Sequence, residues 1–278
     1  MAEQGEQFRW VNEMPSKAGT GLKHETFISP GMGIEVGYVI YLPKEYDNPD
    51  MSDARFPVVY YLHGGRPGSE TKSITLAKDI HELMQSGKVP PAIYVFVNGG
   101  KVSHYDYDVW PGETTFVKEL IPHIDQTYRT INDRSGRGLE GFSQGGRGTA
   151  RIMFKYPELF ISAGPMGGGH QHEKRIAENE GKESDELVFD IGNNTYDLAR
   201  EYAAASDPPS VRILVVFGTK DFNYEANLDW TAHLESLGID FERIILDDVP
   251  HNARLVYEKA GEEIMRFHAD NFAQVTAG

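Results

Sequence analysis

The clearest sign of the architecture is the sequence GRGLEGFSQGGRGTARIMFKYP, which spans residues 136–157. Its beginning, 137–140, is typical of a short strand. A stretch typical of a helix follows from 146 to 156, and Pro157 ends it. A strand that turns sharply into a helix leaves the residue at the turn in a strained conformation, and small neighbours relieve the crowding. The pattern therefore predicts that Ser143 projects from the edge of a sheet, beside a helix N-terminus.

Similar apolar runs recur along the chain and alternate with stretches of helical periodicity such as Phe116, Leu120 and Ile124. Several runs are almost continuously apolar, as expected of parallel strands that are buried on both faces. Only residues 30–33 separate the first two runs, which is too short for a crossover and predicts an antiparallel hairpin. The eight runs lie at about 22–29, 34–42, 56–63, 91–98, 136–142, 161–167, 211–217 and 241–248. We expect an α/β fold with a mostly parallel eight-stranded sheet, helices on both faces, and one domain over residues 1–278.

The composition narrows the range of partners. The 278 residues include 42 acidic and 27 basic side chains, for a net charge of −15. A surface this acidic repels phosphate backbones and anionic lipids, so neither nucleic acid nor a membrane is expected as a partner. Cysteine is absent from the sequence, which excludes disulfides, thiolate zinc sites and a cysteine nucleophile.

The N-terminus has neither the basic start nor the apolar segment of a secretory leader, and no apolar run approaches the length of a membrane span. We therefore expect a soluble chain, either cytoplasmic or secreted with its leader removed. Neither the compartment nor the oligomeric state follows from the sequence.

A serine hydroxyl becomes an effective nucleophile only with a general base, which a carboxylate orients. Among the ten histidines, His251 follows the last strand and precedes the C-terminal helix, which places it on the same sheet edge as Ser143. Asp221 comes immediately after the seventh apolar run, where it could also act only as a helix cap. The order Ser, Asp, His along the chain favours the catalytic interpretation.

Alternatives to this assignment remain at the sequence level. A Gly-x-Ser-x-Gly sequence can be a structural glycine turn without any catalytic role. His170 and His172 follow the sixth strand and are rival bases. Asp247 and Asp248 are rival carboxylates, although they stand very close to His251 in the sequence.

The turn after the third run, residues 62–66, contains two adjacent glycines whose backbone amides can approach a substrate carbonyl without a Cβ in the way. With the serine turn on the same sheet edge, the backbone amides of Gly65 and Gln144 are predicted to form an oxyanion hole.

The loop 103–110 follows the fourth strand and combines aromatic with acidic side chains. Such residues suit sugar faces and phenolic rings, so Tyr107 and Trp110 are candidate substrate contacts, although they could equally pack the loop onto the body. Met166 and His170, after the sixth strand, are further candidate walls of the pocket.

Residues 170–210, which we call the excursion, interrupt the alternation with a polar composition. We expect a long connection with a helix near 196–205, or alternatively a lid over the site. His170 and His172 could chelate a metal, but their spacing and the expected mobility of this polar stretch argue against it. No phosphate-binding or dinucleotide-binding motif is present in the sequence, and no metal or cofactor is expected.

Several motifs together resemble a known family. They are HGG after the third strand, GFSQGG, GTKD, VPHN, and WPG followed by FVKELIP at residues 110–122. Over about residues 22–272 the chain is similar to α/β-hydrolase esterases of the esterase D and feruloyl esterase group, to which mycolyltransferase antigens and enterochelin esterases are related. The resemblance implies the α/β-hydrolase fold, with Ser143 as nucleophile, His251 as base and Asp221 as its orienting carboxylate.

The predicted activity is that of a serine esterase, which cleaves a carboxylic ester through an acyl-enzyme and acts on small-molecule or carbohydrate esters carrying acyl or cinnamoyl (feruloyl) groups. One alternative is acyl transfer to a sugar by the same three residues. Another is a binding module on this fold that has lost catalysis.

Overall fold

Ten strands lie within the part of the chain that the computed structural model describes, residues 7–16, 19 and 21–276. Eight of them form one sheet in the order β1-β2-β4-β3-β7-β8-β9-β10, and two form a small ribbon, β5-β6. They are β1 (Leu22–Ile28), β2 (Glu35–Tyr41), β3 (Val58–Leu62), β4 (Ile93–Val97), β5 (Asp106–Tyr107), β6 (Trp110–Pro111), β7 (Arg137–Phe142), β8 (Ser162–Met166), β9 (Arg212–Lys220) and β10 (Glu242–Pro250). In the main sheet β2 pairs antiparallel with β1 and β4, and the other pairs are parallel. The predicted sheet, including its antiparallel start, is confirmed.

The helices cover both faces of this sheet. They are α1 (Ala77–Gln85), α2 (Gly112–Thr114), α3 (Ile121–Thr127), α4 (Gln144–Lys155), α5 (His170–Glu178), α6 (Thr195–Ala204), α7 (Tyr224–Ser236) and α8 (Ala253–Thr276). A π-helical segment, Thr115–Leu120, joins α2 to α3, and 3-10 turns occupy Lys44–Asp47, Pro49–Met51, Ile74–Leu76 and Arg134–Gly136. Among the helices of the described residues, none combines the length and the hydropathy needed to cross a membrane.

The central strand β3 shows why the apolar runs are continuous. Val59 and Tyr61 point to the face covered by α1 and α8, whereas Val58, Tyr60 and Leu62 point to the face covered by α3 and α4. All five side chains are buried, because each face of the strand packs against helices.

Parallel pairing brings the carboxyl ends of β3, β7, β8, β9 and β10 to one edge of the sheet. The segments that leave these ends carry residues 63–66, Ser143, Asp221 and His251. One edge therefore collects groups that are up to about two hundred residues apart in the sequence.

The excursion contains two helices, α5 and α6, and α6 lies close to the helix expected near 196–205. Its polar start differs from the mobile stretch that we expected, because His170–Glu178 is helical and buries His170, Glu173 and Ile176. The charge of Glu173 is accommodated by a buried arginine, whose partnership no local pattern could reveal.

Candidate active site

Ser143 stands at a tight turn between β7 and α4. Its backbone has φ 61° and ψ −115°, a conformation that residues with a side chain rarely adopt. A Cβ on Gly145 would lie 1.8 Å from the Leu62 carbonyl oxygen, and one on Gly141 would lie 2.6 Å from the Gly145 carbonyl oxygen. The two glycines are therefore required by close backbone contact, and the turn presents the serine at the sheet edge.

The predicted serine, histidine and aspartate lie in one hydrogen-bonded chain. The distance from His251 Nε2 to Ser143 Oγ is 2.9 Å, and both carboxylate oxygens of Asp221 lie 2.9 Å from His251 Nδ1. Asp221 is almost fully buried and also accepts a hydrogen bond of 2.7 Å from the Asn223 amide. A carboxylate at Nδ1 holds the proton there, so Nε2 is free to accept the proton of the serine hydroxyl.

The rival residues lie elsewhere. His170 is buried and stacks on Trp230, with ring centroids 4.1 Å apart. His172 Nδ1 lies 3.1 Å from Glu183. Asp247 and Asp248 stand where the register of β10 shifts, and both contact Thr219. The structure thus pairs His251 with Asp221 and gives none of the four rivals a hydrogen bond to Ser143.

The loop of residues 63–65 packs directly against the serine turn. A Cβ added to Gly64 would lie 3.2 Å from Ser143 Cβ, and Gly65 has a φ of 71° that favours glycine. The second predicted amide, that of Gln144, belongs to the first residue of the twelve-residue helix α4, where backbone N–H groups lack partners within the helix. Among the described residues neither amide has a hydrogen-bond acceptor.

Side chains fix the peptide groups on both sides of Gly65. His63 Nδ1 donates to the Gly64 carbonyl oxygen at 3.0 Å, and this carbonyl belongs to the same peptide as the Gly65 N–H. Ser103 Oγ donates to the Gly65 carbonyl oxygen at 2.5 Å. One hydrogen bond therefore holds the peptide that carries the Gly65 N–H, and a second holds the peptide that follows it.

The tautomer of His63 follows from its own partners. Its Nε2 accepts the backbone N–H groups of Ser69 (3.3 Å) and Gly99 (3.2 Å), so its single proton resides on Nδ1. Burial lowers the pKa of His63 to about 4, which keeps the imidazole neutral near pH 7. Burial also lowers the pKa of the neighbouring His104 well below its usual value.

Of the four predicted pocket residues, Met166 adjoins Ser143, because its carbonyl oxygen accepts the Ser143 N–H at 2.9 Å. The Tyr107 hydroxyl donates to the Glu186 carbonyl in the excursion at 2.6 Å, and the Trp110 ring makes an edge contact with Phe8 at 5.1 Å. Met166 is buried in the core, and His170 is also buried. The contacts of Tyr107 and Trp110 correspond to the packing alternative, and the role of Met166 and His170 as pocket walls stays a prediction.

One aromatic residue at the site was missed by the sequence reasoning. Phe222 follows Asp221, and its ring centroid lies 4.1 Å from that of His251. The side chain is 77% exposed, which is unusual for a large apolar group beside a polar centre. Its position directly after the candidate carboxylate was the available signal.

Helix α4 carries two arginines that the sequence reasoning also missed. Arg147 and Arg151 are fully buried, and their guanidinium groups meet Glu173 and Glu113 respectively. Their spacing of four residues, which places them on one face of the helix, is the only local hint of a shared environment. In the described part of the chain no group of three or more histidine, cysteine, aspartate or glutamate side chains could hold a metal ion.

Comparison with known proteins points to one family. The Esterase family model ("Putative esterase") matches residues 29–237, a stretch that includes Ser143 and Asp221 and ends before His251. An esterase from Mycobacterium tuberculosis is 31% identical over 150 residues, which is 51% of this chain and 31% of that protein. An endo-1,4-beta-xylanase/feruloyl esterase from Xylanibacter ruminicola is 30% identical over 159 residues, 53% of this chain and 22% of that protein.

These alignments span less than one third of the length of either curated relative, 31% and 22%. Among solved structures, a ferulic acid esterase superposes with a TM-score of 0.73 at 23% identity and covers 90% of this chain and 98% of its own. The likeness confirms the α/β-hydrolase fold that the sequence motifs imply.

Proposed function

We propose that this chain, which belongs to the Esterase family, hydrolyses carboxylic esters through an acyl-enzyme formed on Ser143. The observation that carries the proposal is the continuous hydrogen-bonded chain from Asp221 through His251 to the serine hydroxyl. Membership of the family supports esterase activity. The acyl-enzyme route and the substrate are the parts that we add.

In the first half of the reaction Ser143 Oγ attacks the ester carbonyl carbon while His251 Nε2 takes its proton. The negative charge that develops on the carbonyl oxygen is stabilised by the amides of Gly65 and Gln144. Asp221 stabilises the imidazolium that forms. Collapse of the tetrahedral intermediate breaks the bond to the alcohol, which leaves with the proton from His251.

In the second half, water takes the place of the alcohol. His251 accepts a proton from water as its oxygen attacks the acyl carbon, and the same two amides stabilise the second oxyanion. Collapse returns the proton to Ser143 Oγ and releases the carboxylic acid. Every atom and proton is accounted for by the chain, the ester and one water, so no cofactor takes part in the proposal.

We infer that the acyl group is aromatic, of the hydroxycinnamoyl class, and that the alcohol is a carbohydrate. The names of the relatives, a feruloyl esterase and a ferulic acid esterase, support this class. The exposed ring of Phe222, beside His251, offers a surface on which a planar acyl group can stack.

The test is a panel of esters with one leaving group and graded acyl groups, run beside methyl ferulate and a feruloylated xylan fragment. We expect the highest kcat/KM for the hydroxycinnamoyl esters and covalent labelling of Ser143 by a fluorophosphonate. The Ser143→Ala variant is the matched control and should show neither. Absence of labelling and turnover in the wild-type protein would instead favour a binding module.

Product analysis with an added sugar separates hydrolysis from acyl transfer. We expect free acid as the main product at all sugar concentrations. Predominant formation of acylated sugar would contradict the proposed hydrolysis while leaving the three residues in their roles.

A further inference from the structure

A buried ion cluster connects the excursion to both segments that carry the proposed oxyanion amides. Glu183 Oε2 accepts a hydrogen bond from Arg66 at 2.8 Å, and Glu183 Oε1 accepts one from Arg147 at 3.1 Å. Arg66 directly follows Gly65 in the chain. Arg147 lies in the first turn of α4, with its guanidinium 3.4 Å from the side-chain oxygen of Gln144.

The charges of this cluster balance. Arg147 also donates to Glu173 at 2.7 Å, so two guanidinium groups face two carboxylates. The side chains of Glu183 and Arg147 are only 5% and 1% exposed. Burial opposes ionisation of Glu183, but His172, Arg147 and Arg66 together hold its pKa well below the usual range. Removing this one carboxylate would leave an unbalanced buried positive charge.

We propose that Glu183 is a positioning residue for the oxyanion hole. It bonds both Arg66 and Arg147, and it thereby helps to fix the direction of the Gly65 amide. The inference rests on the proposed function. Gly65 has a φ of 71°, and a glycine with positive φ can change its backbone angles at little energetic cost. The loop therefore depends on its tethers. Ser103 holds the Gly65 carbonyl, and Glu183 supplies a second tether from outside the loop, through Arg66.

The kinetic consequence follows from when the oxyanion exists. The negative oxygen appears only in the transition state, so a misdirected amide lowers kcat and leaves KM nearly unchanged. Complete loss of one oxyanion donor costs about 100- to 1000-fold in kcat. Because a displaced loop weakens the donor without deleting it, we expect a loss of about 10-fold in kcat for Glu183→Gln.

The experiment compares Glu183→Gln with Asp125→Asn. Asp125 forms an ion pair of 2.5 Å with Arg137, and both side chains are largely buried. Arg137 is the first residue of β7, so this ion pair lies at the opposite edge of the sheet from Ser143. Both variants remove the charge of one largely buried carboxylate, and both should lower Tm. Only Glu183→Gln should lower kcat on a fixed aryl ester, with KM within about two-fold of the wild-type value.

A second measurement separates positioning from general destabilisation. A trifluoromethyl ketone forms a hemiketal with a reactive serine and places a negative oxygen in the oxyanion hole. Its inhibition constant should rise for Glu183→Gln by about the same factor as kcat falls, and it should stay unchanged for Asp125→Asn.

Arg66→Met provides an independent variant if Glu183→Gln does not fold, since the Arg66 side chain is partly exposed. It should reproduce the kcat loss, and the Arg66→Met/Glu183→Gln double variant should lose less than the product of the single losses. Unchanged kcat and ketone affinity in folded variants would overturn the proposal. Lack of ester hydrolysis by the wild-type protein would instead refute the proposed function itself.

Discussion

Replacing His63 with asparagine is expected to make the folding stability of this protein less sensitive to acid. His63 is buried, and its two ring nitrogens contact three backbone groups. Only the neutral tautomer fits these partners, because a second ring proton would face the N–H groups of Ser69 and Gly99. Protonation of His63 therefore competes with folding.

The direction and the size of this pH effect on stability follow from the pKa values of His63 in the unfolded and the native state. The unfolded chain has the ordinary histidine pKa of 6.5, whereas burial lowers the native pKa to about 4. Between these values the unfolded state binds a proton that the native state does not, so the free energy of unfolding decreases as the pH falls from 6.5 to 4. The gap corresponds to about 3 kcal/mol. His104 and His170, whose pKa values burial also lowers, contribute in the same direction to the wild type and the variant.

Urea unfolding at several pH values between 4.5 and 7.5 measures this effect. At pH 7.5 the His63→Asn variant should be less stable by about 1–3 kcal/mol, since two buried N–H groups lose their acceptor. The two stability curves should then converge towards acid, because only the wild type loses the contribution of His63. A constant separation across the whole pH range would refute the reasoning, as it would show that His63 does not resist protonation in the native state.

Four further predictions concern the site and its surroundings. Ser143→Ala should lower kcat by about 10⁶-fold, and Ser143→Gly should be more stable than Ser143→Ala in thermal unfolding by about 1–3 kcal/mol, because it relieves the strained φ of 61°. Asp221→Asn should lower kcat by about 10⁴-fold, whereas Asp247→Asn should be nearly silent, and the opposite ranking would contradict the carboxylate assignment. Phe222→Ala should reduce kcat/KM for a cinnamoyl ester by about 2- to 13-fold more than for an acetyl ester, which corresponds to a stacking contact of about 0.5–1.5 kcal/mol. Trp110→Ala should lower Tm and affect both esters equally, and a selective loss here would return this residue to the pocket.

The fold and the placement of Ser143, Asp221 and His251 were accessible from the sequence because local patterns determine them. Continuous apolar runs such as Val58–Leu62 indicate strands covered on both faces. Parallel pairing then places whatever follows each strand at one edge, so residues far apart in the sequence could be assigned to a common site. Their catalytic roles remain predictions.

The surroundings of the site could not be predicted, because they depend on pairs that are distant in sequence. His170 lies in a polar stretch, yet it is buried against Trp230, sixty residues later in the chain. Glu173 looks like a solvent-exposed charge until Arg147 is known to neutralise it. A polar sequence predicts exposure only when its charges find no buried partner, and local pattern carries no information about that partner.

The contact between Gly145 and the Leu62 carbonyl oxygen has a consequence for how the protein can diverge. It joins the strand that leads into residues 63–65 to the helix that begins after Ser143, and it is made by backbone atoms alone. Substitutions around the exposed Phe222 can therefore alter which ester is accepted without redesigning this backbone contact. An engineered library aimed at the choice of ester would therefore vary the residues around Phe222 and leave residues 62–66, 141–147 and Glu183 unchanged.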